Sequence, residues 1–368
     1  MPASRILMAT NTWPDASVGG RQQLCELNRV ALRGLYGDRL HVLELPRRRL
    51  RGAREIADAF RGHIDGVDDA AIRLALEAIR ARDAGKVFID GSNLGAVVEA
   101  VKREFPKVEV TTFCHNVEAR FFLGMLRHEM TARSLALLAA NFFAERKAAA
   151  YSDKIICLSE RDSAQLRRVH GRGATHISAI AVQDKAPAAV AATAAPATEP
   201  FALFVGGAFY ANREGIRWFV ERVAPRIAIQ VRVAGRGMDD LRPALERAAN
   251  VRVVGAVEDL AGWYRSAHFV IAPVFGGSGM KTKVAEALMF GKRVAGTPEA
   301  FSGYADVAQR AGWLCRNADE FVDAIGRAAD ALTQPYHPEL RALYEDRYSL
   351  AAAQARLGRI LEERPPRS

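Results

Sequence analysis

The stretch Phe269–Thr297, FVIAPVFGGSGMKTKVAEALMFGKRVAGT, holds the reading on which the rest of the chain turns. Its opening apolar run is too short for a helix and predicts a buried strand over Phe269–Pro273. Gly276, Gly277 and Gly279, set around Ser278, then predict a tight turn. A helix begins near Met280 and stops at Gly291, a residue suited to the left-handed C-cap. Arg293–Gly296 follows as another strand. Strand, glycine turn, helix and strand make one βαβ unit, which belongs in a parallel sheet covered on both faces. The same turn has a chemistry. Glycines let a ligand approach the backbone, the first N–H groups of the helix lack helical partners, and the helix dipole adds partial positive charge. Lys281 and Lys283 add formal charge, and Ser278 adds a hydroxyl. Glu286 lies about one and a half turns into the helix, where a carboxylate can accept from two sugar hydroxyls. A phosphate is the expected ligand; the plainer alternative is an ordinary i,i+3 surface pair between Lys283 and Glu286.

The rhythm extends in both directions. Strands are expected at Ile6–Thr10, Leu40–Leu45, Lys86–Asp90, Val108–Cys114, Lys154–Ser159 and His176–Val182, with helical stretches between them. Later come Phe201–Val205, Val231–Ala234, Val251–Val254, Phe269–Pro273, Arg293–Gly296 and Gly312–Cys315. One segment breaks the composition: Val182–Pro200, VQDKAPAAVAATAAPATEP, is rich in Ala, Pro and Thr and has no amphipathic period. It reads as a linker. The expected organisation is an N-terminal Rossmann-like domain over 1–182, a linker over 183–200 and a second Rossmann-like domain over 201–335. A C-terminal helical segment follows over 336–368, with Leu340, Leu343, Tyr344, Leu350, Leu357 and Leu361 as one buried stripe. Such sheets bind ligands outside the carboxyl ends of their strands, so a cleft between the domains is the expected site.

Composition excludes other classes. A chain of 368 residues exceeds one ordinary core, and 49% hydrophobic residues exclude a disordered chain. Cys25, Cys114, Cys157 and Cys315 lie far apart without a CxxC, against a disulfide framework or zinc knuckle and in keeping with a reducing cytoplasm. The apolar run after Arg5 is too short for a signal peptide, and no helical stretch approaches the ~18 apolar residues of a membrane span. The formal net charge of +10 is concentrated in residues 1–182, with 28 Lys and Arg against 21 Asp and Glu. Nucleic acid is not the expected partner, because no aromatic-basic RNA motif or DNA-reading module is present. There is no serine elbow, no H-E-x-x-H and no Walker A lysine.

Taken together, strand, glycine turn and K-x-x-E-A-L-x-x-G-K-x-V-x-G-T resemble the donor-binding segment of GT-B glycosyltransferases, especially the retaining group-1 type. Other pieces match in order. Val205-Gly206-Gly207, with Asn212 and Gly215–Phe219, resembles the first strand and helix of that family's C-terminal domain. Val233–Gly237, including Gly235, resembles the second strand and its loop. Val251–Val257, followed by Asp259, Leu260 and Tyr264, resembles the strand whose loop holds the nucleotide base, which places Val257 at the base. Gly19-Gly20 resembles the glycine loop after the first strand, and His115–Glu118 the loop with a histidine facing the cleft.

The resemblance implies two Rossmann-like domains facing each other across a cleft, with a last helix crossing back to the first. It implies an N-terminal acceptor-binding domain and a C-terminal nucleotide-sugar-binding domain. It further implies transfer of a sugar from a nucleotide-diphosphate sugar to a glycan or lipid-linked acceptor, in a setting such as surface polysaccharide biosynthesis. A nucleotide-sugar epimerase of the same fold and a non-catalytic sugar-nucleotide-binding protein are the alternatives. His115 and Glu118 are the candidate catalytic residues, with Asp90 and Asp15 as further strand-end or loop carboxylates. The donor residues are Gly19, Gly20, Gly207, Arg213, Gly235, Val257, Ser278, Gly279, Met280, Lys281, Lys283 and Glu286. No metal or other cofactor is expected, since protein cations and helix ends carry the diphosphate in that family. The chain departs from the pattern in two places. Ser278 stands where many retaining members carry glutamate, and Ala208 and Glu214 stand where many carry the arginine and lysine that clamp the diphosphate. Lys281, Lys283 and Arg213 are expected to supply that charge instead. Finally, Arg47, Arg48, Arg49, Arg51 and Arg54 edge an apolar stripe of Leu50, Ala53, Ala57, Phe60 and Ile64. A second apolar stretch, Val117–Met130, carries Phe121, Phe122, Met125 and Leu126. Both suggest a cytoplasmic protein that docks peripherally on the inner membrane surface.

Overall fold

The computed structural model describes residues 5–12, 20–46, 53–186, 199–328 and 332–363. It divides into two compact units, Met1–Ala181 with Leu350–Ser368, and Val182–Ser349. Gly19, Asp15, Arg47–Arg49, Leu50, Arg51 and most of the expected linker lie outside the described residues.

In the first unit the strands are β1 (Arg5–Thr12), β2 (Leu40–Pro46), β3 (Ala84–Asp90), β4 (Glu109–Cys114), β5 (Lys154–Cys157) and β6 (His176–Ile177). They form one parallel sheet in the order β2-β1-β3-β4-β5-β6. The core strands read as continuous apolar runs because helices cover both faces; every residue of β5 is buried. The strand expected over His176–Val182 shortens to two residues. Beyond Ile177 the backbone finds other partners: Arg356 Nη2 donates to Ala179 O at 2.9 Å, and Val182 N donates to Tyr348 O at 2.9 Å.

The chain's last helix, Leu350–Glu362, packs in this unit against the Gly20–Tyr36 helix. Glycine makes the approach close: a Cβ on Gly34 would meet Gln354 Nε2 at 2.7 Å, and one on Gly358 would meet Leu35 at 3.1 Å. The carbonyls at the end of Leu350–Glu362 face cations, which the helix dipole favours. Lys86 donates to Leu361 O, and the fully buried Lys154 donates to Ile360 O at 2.9 Å while pairing with Glu109 at 3.0 Å. The single C-terminal helix read from the sequence is two. Pro338–Arg347 belongs to the second unit, where Arg341 bonds Asp184 and the carbonyls of Ala186 and Met289. The break falls at Tyr348-Ser349, and only the part from Leu350 joins the first unit.

The second unit contains β7 (Phe201–Val205), β8 (Gln230–Ala234), β9 (Val251–Gly255), β10 (Phe269–Ala272), β11 (Val294–Gly296) and β12 (Gly312–Leu314). Its parallel order is β12-β11-β10-β7-β8-β9. The core gathers Phe204, Phe219, Phe269 and Phe321, all fully buried; each such ring contributes about 1.5–3 kcal/mol by burial. Strand order reverses between β7 and β10, and in the first unit between β1 and β3. In open parallel sheets a ligand crevice lies at the carboxyl ends of the strands on either side of that reversal. Both expected sites therefore have a topological address.

Candidate functional sites

In the second unit, the two glycine loops read from the sequence follow β7 and β10, one on each side of the reversal. The Tyr210–Arg222 helix sits hard against the end of β10: a Cβ on Gly215 would lie 1.7 Å from Pro273 O. The loop after β7 is knitted to the loop after β8. Gly206 N donates to Ala234 O at 3.0 Å, Ala208 N donates to Arg236 O at 2.9 Å, and a Cβ on Gly235 would lie 1.9 Å from Gly206 O. Gly277 and Gly279 adopt positive φ, 113° and 66°, which only glycine takes readily. The helix that follows spans Thr282–Met289, and Gly291 (φ 63°) lets the chain turn after it.

Four polar side chains tie this region together. Asn212 Nδ2 donates to Gly207 O at 2.8 Å, which fixes the amide and leaves its Oδ1 to accept from Lys283 Nζ at 2.9 Å. Lys283 is only 6% exposed and lies 4.4 Å from the Phe204 ring centre. Burial, then the neighbouring Lys281, lower its pKa to about 7, against a smaller opposing pull from Glu286. Glu286 is 8% exposed, and its Oε2 accepts from Tyr264 Oη at 2.9 Å. The Tyr264 ring stacks on Phe290 at 5.0 Å. Burial raises the Glu286 carboxyl above the usual range, although the Tyr264 hydrogen bond, Lys185 and Lys283 oppose that.

Lys281 has a different setting. Its Nζ donates to Ser278 O (3.3 Å), Gly279 O (2.9 Å) and Glu299 Oε1 (3.0 Å), so it braces the turn itself. Met280 is buried against Gly303, and Ser278 is half-buried in the turn. Gly207 is exposed, Arg213 is exposed on the Tyr210–Arg222 helix, and Val257 is half-buried in the loop after β9. The fold brings Gly207, Gly235, Lys283 and Glu286 into the loops and helix start around the reversal. No described contact ties Arg213 or Val257 to that group.

In the first unit, the carboxyl ends of β1, β3 and β4 converge on Asp90. It is 0% exposed; its Oδ2 accepts from Thr10 Oγ1 at 2.8 Å, and its Oδ1 accepts from Asn28 Nδ2 at 2.9 Å and His115 Nε2 at 3.0 Å. Burial alone would raise this carboxyl. The His115 ring, with hydrogen bonds from His115, Asn28 and Cys25, outweighs it and holds the pKa below the ordinary value. Asp90 is thus a buried acceptor held by three side chains at the strand ends. His115 itself is buried, with Cys25 Sγ 3.5 Å from its Nε2 and no hydrogen-bond partner at Nδ1 among the described residues. Cys25, Asp90 and His115 offer ligand atoms all within 4.8 Å of one another, the donor set of a metal site. Burial, then Asp90, push the Cys25 thiol well up. Within the described residues the three side chains contact one another directly, His115 Nε2 lying 3.0 Å from Asp90 Oδ1 and 3.5 Å from Cys25 Sγ.

Glu118 opens the Glu118–Glu129 helix, and its buried carboxyl meets Arg21 at 3.4 Å. Burial raises its pKa, the Arg21 charge opposes, and Glu145 adds to the rise. Arg21 follows Gly20 directly and also donates to Asn93 Oδ1. The anchor of this corner is a residue the sequence reading passed over. Glu145, wholly buried, accepts from Glu118 N (2.8 Å), Ala119 N (3.1 Å), Ser92 Oγ (3.1 Å) and His170 Nε2 (2.9 Å). It caps the helix from outside, satisfying first-turn donors that no side chain of that helix reaches.

Comparison with known proteins bears on this geometry. Residues 199–331 match the family model described as glycosyl transferases group 1. No curated protein sequence matches the chain. Among solved structures, Anabaena HepE in complex with UDP and glucose is similar at a TM-score of 0.66 and 11% identity, covering 98% of this chain and 100% of HepE. A glycosyltransferase from Rickettsia africae is similar at 0.68 and 12% identity, covering 99% and 100%. The lipopolysaccharide outer core galactosyltransferase WaaB, in its apo form, is similar at 0.62 and 11% identity, covering 97% and 98%. The two parallel α/β units are thus those of the GT-B fold, and the second unit matches the group 1 domain that the sequence resembled.

Proposed function

We propose that the protein is a glycosyltransferase that moves a sugar from a nucleoside-diphosphate sugar to a glycan or lipid-linked acceptor. The observation that carries the reading is Glu286: a buried carboxylate, oriented by Tyr264, just past a glycine turn and helix start at the strand-order reversal of the group 1 domain. In this reading Glu286 accepts from the ribose hydroxyls. The diphosphate meets the first turn of the Thr282–Met289 helix, whose N–H groups and dipole stabilise the charge that develops on the leaving group. Those groups and nearby lysine carry the charge without calling on a metal. Gly207 and Gly235 let the nucleotide approach the backbone, and Val257 lies against the base. The first unit takes the acceptor, with His115 and Glu118 as its catalytic groups, and surface polysaccharide assembly is the setting. UDP-glucose is the first donor to test, because HepE has been solved with it. Release of UDP that requires both a donor and an added acceptor supports transfer. Conversion of the donor without acceptor, or no binding of any nucleotide sugar, overturns it.

The acceptor is proposed to be presented at an anionic membrane surface. Among the described residues no helix is long and apolar enough to cross a membrane, so contact would be peripheral. Support comes from apolar side chains left in solvent on three helices of the first unit, Ala53–Phe60, Glu118–Glu129 and Ala132–Tyr151. Phe60 (44% exposed) meets Phe143 (37% exposed) edge-on at 6.3 Å, Leu123 and Leu135 are also uncovered, and so is Met130 (83% exposed) in the turn between the last two helices. The arginines at 47, 48, 49 and 51 precede the first of these helices in sequence, and Arg54 lies in its first turn. Each basic residue at an anionic surface contributes about 1 kcal/mol. Binding to anionic vesicles is expected to fall steeply with added salt and to weaken when Arg47, Arg48 and Arg49 become glutamine. Wild-type protein that ignores anionic vesicles at low salt would show these side chains to be plain surface.

A further inference from the structure

Of the two lysines at the second-unit helix start, one is in an electrostatic position that a folded protein seldom leaves alone. Lys283 carries three donors, is 6% exposed, and among the described residues makes one hydrogen bond, to the neutral amide of Asn212, and no ion pair. A buried ammonium ordinarily has a carboxylate against it, as Lys154 has Glu109. Lys281, two residues away, has Glu299 and two carbonyls. Lys292 is also buried on a single acceptor, Arg265 O, but it precedes β11 and so stands at the amino ends of the strands, away from both glycine loops. Lys283 is held between those loops. Asn212, fastened to Gly207, grips it from one side, and its own backbone belongs to the first turn of the Thr282–Met289 helix.

We propose that Lys283, not Lys281, is the counter-ion of the ligand's diphosphate, and that a proton enters the site together with that ligand. The inference rests on the donor-site reading above and adds to it which cation serves and how it is charged. Ala208, in the loop after β7, and Glu214, in the helix that follows, stand where the resembled family places its clamping cations, and neither supplies positive charge. The groups facing the Lys283 side chain are Lys281 and Glu286 on its own segment, neutral Asn212 from the Tyr210–Arg222 helix, and the Phe204 ring from β7. Burial, then Lys281, against the smaller pull of Glu286, leave the free ammonium titrating at about 7. A phosphate against Nζ stabilises the ammonium and carries its titration upward. The sign follows. At pH 8 most of the free protein has neutral Lys283 and must gain a proton to bind, so affinity falls as pH rises. Between pH 7.0 and 8.5 the loss should be roughly fifteen-fold, for one proton taken up per ligand. The phosphate's own second ionisation, at about 6, lies below that window.

Calorimetric titration at pH 8 in two buffers of different ionisation enthalpy counts the protons directly. The probes are UDP, uridine and inorganic pyrophosphate. The expected result is uptake approaching one proton for UDP and pyrophosphate, and none for uridine. Lys283→Met, or Lys283→Gln should that variant fold better, should abolish the uptake and weaken UDP at pH 7 at least tenfold more than uridine. Lys281→Ala should keep it in reduced measure, since losing that neighbouring charge raises Lys283 and leaves less of it neutral at pH 8. UDP binding without proton uptake, uptake retained in the Lys283 variants, or failure of both anions to bind overturns the assignment. Pyrophosphate that binds with uptake while neither UDP nor GDP does would leave Lys283 as an anion site and sink the donor reading instead.

Discussion

Replacing Glu145 by alanine is expected to lower the unfolding temperature of the first unit by roughly 10 °C. The carboxylate is wholly buried and serves four donors: the backbone N–H groups of Glu118 and Ala119, the Ser92 hydroxyl and the His170 ring. Its removal leaves those groups in a water-poor interior, and each buried donor without a partner costs about 1–3 kcal/mol. Partial relaxation brings the sum to about 3–5 kcal/mol, the range for breaking a buried polar or ionic network. For a unit of this size each kcal/mol moves the midpoint by ~2–4 °C. Glutamine should retain part of the loss, because its one carbonyl oxygen still accepts while its amide opposes the remaining donors. Calorimetry that separates the two units reads the result. An alanine variant melting within 2 °C of wild type would mean that water or a shifted helix replaces the carboxylate. The expected consequence for function is indirect: a loosened Glu118–Glu129 helix start no longer holds Glu118 against Arg21.

Glu145 also marks where the sequence stops being readable. It sits in AANFFAERKAAA, where a lone glutamate beside arginine and lysine reads as a solvated helical charge. Its partners lie 25–53 residues away, and nothing local signals them. The second-unit strands were legible for the opposite reason: a strand buried on both faces is a short apolar run whatever its partners. The turn at 276–279 and the helix start were legible because backbone conformation and dipole are local properties. Which lysine is buried against Asn212 was not, since Asn212 is 71 residues from Lys283. Asp90 shows the same limit. A strand-end carboxylate has the right address for a base, but Thr10, Asn28 and His115 close around it only in three dimensions. The break at Tyr348-Ser349 has neither glycine nor proline. The residues before it are held by Asp184 and Met289, while those after it pack beside Leu35.

Glu286→Gln should cost on the order of tenfold to a hundredfold in affinity for a nucleoside-diphosphate sugar while leaving the melting temperature nearly unchanged. The carboxylate has two oxygens and two demands on them. Tyr264 Oη, fully buried, donates to Oε2, and the ribose hydroxyls of the proposed donor need the other. Glutamine has one acceptor. If its oxygen stays with Tyr264, the fold is preserved and an NH2 group faces the sugar, where a donor now meets a donor. If the amide flips, the ligand is served and the buried phenol loses its acceptor, so part of the cost moves into stability. A charge-assisted hydrogen bond contributes about 1.5–3 kcal/mol, which sets the expected range. Uridine carries the same ribose, so its binding should weaken by the same factor. That would separate the role proposed for Glu286, at the sugar ring of the nucleoside, from the one proposed for Lys283, at the phosphates. Tyr264→Phe should give a smaller loss, since it frees the carboxylate without removing it. Full donor affinity in Glu286→Gln, or a loss for UDP without one for uridine, would return Glu286 to being a buried partner of Tyr264 and nothing more.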